Sequence, residues 1–258
     1  MGIMKRSIDE KTYNGIAENQ SKFFDGLKNI KVKLVNYTKM PNKSISQMIK
    51  ATESLPSLDF EDEELVKEQL TGGLSVPLES VNFTFQIANI SRTCTHQLVR
   101  TRIGAGMSQQ SMRWTNMSKF NFRIPKTLKK YNKKIKKIMG EIDKLYKDMV
   151  MDDIPYQDAR FILPMGTTTW IYITYNLLSL KNVLNTRLCY MMQWEIREVA
   201  SQMRDEVIKV FPQFKSILVP RCELIKKCLF PGWEDVSECS LEYAKKRMWK
   251  SKKFGQKK

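Results

Sequence analysis

The segment Glu79–Ile90, in which apolar and polar side chains alternate from Val81 to Ile87, is the feature that most restricts how this chain can fold. Side chains two residues apart lie on the same face of a β-strand, so the pattern predicts a strand with one buried and one polar face. The apolar face would contain Val81, Phe83, Phe85 and Ile87, and the polar face Asn82, Thr84 and Gln86. This is the clearest strand that the sequence predicts.

Other segments supply the rest of a mixed fold. Thr167–Tyr175 is β-branched and aromatic and predicts a buried strand, while Lys31–Tyr37 predicts an edge strand. Lys126–Met151 predicts a long, lysine-rich helix. Apolar residues recur every three or four positions over Leu177–Val210, which predicts one long helix or two helices joined near Cys189. We therefore expect an α+β fold, a twisted mixed or antiparallel sheet with long helices packed on it.

Cations and polar side chains concentrate in the stretch Thr95–Trp114, around Gly104 and Gly106. They are His96, Gln97, Arg100, Arg102, Gln109, Gln110, Ser111 and Arg113. A helix over Thr95–Arg102 would place Gln97 and Arg100 on one face, and an extended Ser111–Arg113 would point two polar side chains to one side. Guanidinium groups and a hydroxyl around a glycine-containing loop suit a phosphate and a planar ring that carries carbonyl groups. A solvated basic turn is the alternative explanation.

Two later segments contain further candidate residues. Arg160 lies in a predicted short helix close to Asp158, and an arginine on a helix most often forms a surface ion pair. Asn176, Asn182 and Arg187 lie at the start of, and within, the predicted helical region. Asn176 could simply cap that helix. From the residues alone, these structural explanations remain open beside the functional ones.

The net charge of +17 indicates an anionic partner, which could be a nucleotide, nucleic acid or an acidic protein. Much of this charge lies in the runs Lys126–Lys137 and Lys245–Lys258, and such runs are usually solvated. No apolar run reaches the roughly 18 residues of a membrane span, and no signal peptide is apparent. Five cysteines without a disulfide pattern predict a cytoplasmic protein. His96 is the only histidine, and we expect a structural or orienting role for it.

The order of residues in the basic stretch resembles the signature of the flavin-dependent thymidylate synthases. Gln97-x-x-Arg100-Thr101-Arg102 is followed, after eight residues, by Ser111-x-Arg113-Trp114. In the family, Thr101 is a histidine, Trp114 is a tyrosine, Gln109 is usually a glutamate, and the loop is one residue shorter. Two further segments resemble family motifs: Ala159-Arg160-x-x-Leu163-Pro164 and Gln193-Trp194-Glu195-Ile196.

Departures from the family pattern fall mainly on the flavin side. Leu74 and Val76 stand where the family has a histidine and a threonine, and Leu178 stands where it has an arginine. The motif around Leu74 keeps Gly73, Pro77 and Glu79. The positions that would bind the nucleotide are nearly all kept, so the resemblance predicts a deoxyuridylate-like ligand more directly than it predicts the chemistry.

The resemblance also implies roles for individual residues. The nucleotide dUMP would be held by Gln97, Arg100, Gln109, Ser111, Arg113, Arg160 and Arg187, and FAD by Arg100, Arg102, Asn176 and Asn182. Arg187 and Ser111 would act in catalysis, Arg187 by polarising a pyrimidine carbonyl as charge develops on the ring. No metal ligand is expected.

The implied reaction is the methylation of dUMP at C5 to dTMP, with methylenetetrahydrofolate and NADPH as co-substrates and without a cysteine nucleophile. The implied organisation is an N-terminal arm over residues 1–29, a catalytic domain over residues 30–211 and a C-terminal extension over residues 212–258. The enzyme would be a cytoplasmic homotetramer with active sites shared between subunits. A related enzyme that hydroxymethylates or aminomethylates C5, or a basic nucleic-acid-binding protein on the same scaffold, are the alternatives.

Overall fold

The structure is a computed structural model that describes residues 29–72 and 74–228. The predicted arm up to residue 28, Gly73 of the flavin-side motif, Cys239 and the lysine-rich tail lie outside the described residues. Four strands form one antiparallel sheet in the order β1-β2-β4-β3. They are β1 Lys31–Tyr37, β2 Asn82–Ser91, β3 Ala105–Gln109 and β4 Thr168–Asn176. The predicted α+β class is confirmed.

The described residues contain eight α-helices. They are α1 Pro41–Lys50, α2 Glu63–Gly72, α3 Arg92–Leu98, α4 Asn132–Met151, α5 Tyr156–Ala159, α6 Leu177–Arg187, α7 Trp194–Val210 and α8 Arg221–Ile225. Short 3-10 turns occupy Val76–Ser80, Lys126–Tyr131, Arg160–Ile162 and Pro212–Ser216. No helix in the described ranges is long and apolar enough to cross a membrane.

Strand β2 has the two faces that its sequence predicts. Phe83, Phe85 and Ile87 are fully buried, whereas Asn82 is exposed. The register against β4 is fixed on the polar face, where the Thr84 and Thr174 hydroxyls lie 2.9 Å apart. Alternation of this kind determines which face of a strand is buried, because a shift of one residue would reverse both faces.

By its contacts, the chain divides into two compact units of interleaved segments. Among the described residues, the first comprises 29–31, Ile87–Gln97 and Ser108–Ile171. Its core packs α4 and α5 against the loop after β3, and the buried residues are Met112, Met117, Phe120, Tyr146, Val150 and Ala159. The Tyr146 hydroxyl accepts a hydrogen bond from the Met117 N–H at 3.2 Å, which fixes the loop to the helix.

Among the described residues, the second unit comprises 32–72, 74–86, Leu98–Met107 and 172–228. Its described core includes Phe83, Phe211 and Phe214, whose rings meet edge to face or tilted at 5.8 to 6.2 Å. Of the two arrangements predicted for Leu177–Val210, the structure has two helices, with the break between Arg187 and Trp194. Helix α7 starts there because the Gln193 side chain accepts hydrogen bonds from its first N–H groups.

Two local predictions for the signature stretch are wrong. Helix α3 ends at Leu98 instead of Arg102, so Gln97 and Arg100 do not share a helical face. Residues after Ser111 form a turn, in which the Ser111 hydroxyl accepts the Arg113 N–H at 3.3 Å, so this segment is not extended. Both differences arise near β3, a strand whose ladder to β4 no local pattern could indicate.

Candidate functional site

The two ends of β3 are held by hydrogen bonds to β4. In the second unit, the Asn176 N–H donates to the Gly104 carbonyl at 2.9 Å, and in the first unit the Gln110 N–H donates to the Trp170 carbonyl at 3.1 Å. Gly104 has a φ of +64°, a backbone conformation that glycine adopts without strain. The predicted need for glycine is therefore met at Gly104, whereas Gly106 lies within the regular strand β3.

In the first unit, Gln157 brings two predicted arginines together. Its side-chain Oε1 accepts a hydrogen bond from Arg113 Nε at 3.2 Å, and its backbone carbonyl accepts one from Arg160 Nε at 3.1 Å. The Arg113 guanidinium also stacks on the exposed Trp114 ring, 5.0 Å from the ring centroid. The surface ion pair that a helical arginine most often forms is not present at Arg160, because Arg160 does not pair with Asp158, which is exposed.

The guanidinium of Arg92 lies within electrostatic reach of Arg160. Burial lowers the pKa of Arg92, and the positive charge of Arg160 lowers it further. The backbone explains this proximity, since the Arg92 N–H donates to the Thr167 carbonyl at 3.0 Å and the Thr93 N–H to the Met165 carbonyl at 3.1 Å. Within the described part of the chain, the Arg92, Arg113 and Arg160 guanidinium groups pair with no carboxylate. We name these three residues the arginine cluster.

Sequence reasoning missed Arg92, although one signal for it was present. It is the first residue of α3, and a cation at a helix N-terminus is unfavourable beside the positive end of the helix dipole. A cation in that position, with no carboxylate close in sequence, is the pattern that could have pointed to Arg92 as a candidate anion ligand.

The remaining polar residues of the first unit mostly order the protein itself. Gln109 Nε2 donates to Thr95 Oγ1 at 3.1 Å, and Gln110 is buried, with its Oε1 accepting from Thr169 Oγ1 at 3.2 Å. Gln97 is half-buried, and its amide lies 3.5 Å from the Thr93 carbonyl. The Gln109 amide thus donates a hydrogen bond to Thr95, which an ionised glutamate at that position could not do.

In the second unit, Arg100 and Arg102 lie on an exposed loop that packs on the start of α6. The Ser179 hydroxyl donates to the Ile103 carbonyl at 2.5 Å, and Asn176 Oδ1 accepts the Ser179 N–H at 2.8 Å. Asn176 is therefore the N-cap of α6, as the structural explanation predicted, while its Nδ2 has no acceptor among the described residues. Arg100 and Arg102 pair with no carboxylate among those residues either.

Arg187 lies at the other end of α6 from Asn176. A helix rises 1.5 Å per residue, so the two residues are separated by about 16 Å along the axis. Arg187 is half-buried, contacts the Met192 sulfur at 3.8 Å and lies near Tyr175. Burial raises the pKa of Tyr175, and the positive charge of Arg187 opposes that rise. Asn182 is exposed between the two ends. Within this unit, the predicted flavin residues and Arg187 thus form two separate groups.

Comparison with known proteins assigns the chain to a family. The sequence model of the family described as thymidylate synthase complementing protein matches residues 33–213. The chain belongs to this family, the flavin-dependent thymidylate synthases, and is a thymidylate-synthase-like enzyme.

Curated relatives agree with this assignment. The chain is 39% identical over 241 residues to the flavin-dependent thymidylate synthase of Pyrococcus furiosus, covering 81% of this chain and 98% of the relative. It is 33% identical over 210 residues to the enzyme of the same name from Sulfolobus acidocaldarius, covering 75% and 78%. It is 32% identical over 220 residues to that of Clostridium tetani, covering 75% and 88%.

Proposed function

We propose that the enzyme methylates dUMP at C5 to give dTMP, using methylenetetrahydrofolate as the carbon source, NADPH as the reductant and FAD as the cofactor. The arginine cluster is the observation that carries this proposal. Three guanidinium groups are drawn together without a carboxylate among the described residues, which costs free energy unless an anion compensates them. A phosphate monoester carries up to two charges and accepts several charge-assisted hydrogen bonds, so it fits this cluster.

We assign the phosphate of dUMP to the arginine cluster, with Ser111 and Gln97 as neighbouring polar contacts. The Ser111 hydroxyl accepts the Arg113 N–H, so its own proton is available to a phosphate oxygen. Gln109 would contribute chiefly by orienting its neighbours, because its amide already donates to Thr95. Half-burial of Arg92 and Arg160 supports strong contacts, since an ion pair with a phosphate gains strength where water is partly excluded.

Arg187 is the group that we assign to the pyrimidine ring, with Arg100 as a second nucleotide contact. A guanidinium that donates to a ring carbonyl stabilises the negative charge that develops when C5 attacks an electrophilic carbon. Such a donor must be held in place before the reaction. The helix end and the Met192 contact restrict Arg187 in this way.

The residues of the second unit fit a flavin. Arg100 and Arg102 offer guanidinium groups that pair with no carboxylate among the described residues, and Asn176 and Asn182 offer amides. This donor set suits a diphosphate and the carbonyl groups of an isoalloxazine ring. The Asn176 Nδ2 without an acceptor supports this assignment. When bound, the reduced flavin would relay the carbon unit and supply the hydride. The protein groups bind it, orient it and compensate its charge.

The resemblance to the family further supports a homotetramer with active sites shared between subunits, and a catalytic domain over residues 30–211. It leaves the C5 product to be tested, because a hydroxymethylating enzyme would use the same nucleotide contacts. Mass spectrometry of the product separates these possibilities. Static light scattering tests the oligomer.

The decisive experiment compares dUMP with deoxyuridine, which lacks the phosphate. We expect Arg160→Ala to weaken dUMP binding about 10- to 100-fold, the loss typical of one charge-assisted contact of about 1.5–3 kcal/mol. Binding of deoxyuridine should change less than about fivefold, since a loss below about 1 kcal/mol is expected where no phosphate contact exists. Calorimetry measures both affinities. Absorbance near 450 nm of the purified protein reports bound flavin in the same samples.

Arg204→Ala is the matched control. Arg204 is a half-exposed arginine in α7, but it pairs with Asp205 at 2.9 Å and is not part of the arginine cluster. We expect this variant to bind both ligands like the parent protein. Equal losses for dUMP and deoxyuridine in Arg160→Ala, or no loss for either, would contradict the assignment of the cluster to the phosphate.

A further inference from the structure

Three cysteines in the second unit form a group that the proposed reaction does not use. Cys189 lies two residues after α6, Cys222 is the second residue of α8, and Cys228 follows that helix. All three are half-buried free thiols. Cys94, in contrast, is completely buried in the first unit.

Hydrogen bonds hold the chain before α8 against α6. Asn185 Nδ2 donates to the Ile217 carbonyl at 3.1 Å and to the Val219 carbonyl at 2.5 Å. Asn185 lies one helical turn before Cys189, and Val219 lies three residues before Cys222. These bonds hold the segment before α8 against α6, and α8 itself contacts α6, which ends two residues before Cys189.

The electrostatics of Cys222 agree with this placement. Burial raises the pKa of the Cys222 thiol, and the neighbouring Cys189 and Cys228 raise it further, in that order. The charge of a Cys189 thiolate is thus felt at Cys222, which agrees with the contact between α6 and α8. No group of three cysteine, histidine or carboxylate side chains within residues 29–72 and 74–228 has the arrangement of a metal site, so thiol–disulfide chemistry suits this pair better than metal binding.

We propose that Cys189 and Cys222 are a redox-sensitive thiol pair, which a peroxide oxidises to a disulfide that fastens α8 to the end of α6. One thiolate attacks the peroxide O–O bond, forms an S–OH group and releases hydroxide. The second thiolate attacks that sulfur, the S–S bond forms, and a second hydroxide leaves. Two thiols thus lose two electrons and two protons, and hydrogen peroxide becomes two waters.

The cross-link would strengthen the attachment of α8 to the end of α6, two residues beyond Arg187. In the reduced protein, the segment before α8 is attached to α6 by the Asn185 hydrogen bonds. In the oxidised protein a covalent bond would add to them, which restricts the unfolded chain and stabilises the folded one.

The test uses the full-length protein. The folded, reduced enzyme is treated with one equivalent of hydrogen peroxide, its remaining thiols are alkylated, and its peptides are mapped without reduction. We expect a Cys189–Cys222 peptide, the loss of two thiols, and a higher midpoint of thermal unfolding, all reversed by dithiothreitol. Cys222→Ser and, independently, Cys189→Ser should abolish the cross-link and the shift of the midpoint.

Cys228→Ser is the matched control, because it removes the other neighbouring thiol and should keep both the cross-link and the shift. A disulfide from Cys222 to Cys228 or to Cys239 would overturn the proposal. So would over-oxidation of Cys189 or Cys222 without any disulfide in the wild-type protein.

Discussion

Replacing Gly104 by alanine tests how the loop that carries Arg100 and Arg102 is positioned. A Cβ at residue 104 would lie 2.5 Å from Asn176 Nδ2 and 2.7 Å from Asn176 Oδ1, and closer still to Ser179 Oγ. Carbon atoms do not approach polar atoms this closely, so the loop or the Asn176 side chain must move. The positive φ of Gly104 adds strain that an alanine cannot avoid.

The expected cost follows from three contributions. A left-handed backbone costs an alanine about 1–2 kcal/mol, overpacking costs about 1–3 kcal/mol, and loss of the Asn176 cap costs about 1 kcal/mol. We therefore expect Gly104→Ala to lower the free energy of unfolding by about 3–6 kcal/mol, measured by urea unfolding with tryptophan fluorescence. The affinity for FAD should fall as well, because Arg100 and Arg102 move with the loop.

Gly106→Ala provides the matched comparison, two residues along the same chain. Nothing lies within 4 Å of a Cβ at residue 106, and its φ is not positive. This variant should be as stable as the parent protein or up to about 1 kcal/mol more stable. Ser179→Ala combined with Gly104→Ala should recover part of the loss, since Ser179 Oγ is the nearest obstacle. If Gly104→Ala and Gly106→Ala unfold at the same urea concentration, the packing argument is refuted.

Three further predictions follow from single contacts. Asn176→Ala should lower the free energy of unfolding by about 1 kcal/mol, because the helix loses its cap. Asn176→Asp should keep the cap but bind FAD more weakly, as measured by flavin fluorescence. If Asn176→Asp binds FAD as tightly as the parent protein, Asn176 serves only as a helix cap. Burial raises the pKa of Tyr146 from 10.0 to about 12, so its stabilising contribution is complete below pH 10 and is lost as the pH rises through 12. Tyr146→Phe should therefore unfold with a shallower pH dependence over that range. Gln157→Ala should weaken dUMP binding through Arg113 and Arg160 while leaving deoxyuridine binding unchanged.

Local patterns in the sequence determined most of the elements. Alternation identified β2 and its buried face, and the three- and four-residue recurrence identified α6 and α7, because each period follows from the geometry of a single element. The signature around Gln97 and Arg100 was likewise local, and it identified the family that the sequence comparisons confirm.

Tertiary structure decided the features that depend on distant partners. Strand β3 exists because β4 provides its hydrogen bonds, and the chain that leads into β3 leaves α3 at Leu98. The hydrogen bond between Arg113 and Gln157 could not be predicted, because the two residues are 44 positions apart in the sequence. The folded chain also brings Arg92 within electrostatic reach of Arg160, a proximity of two positive charges that no sequence pattern shows. A periodic pattern records which face of an element is buried, whereas it carries no information on which element lies against that face.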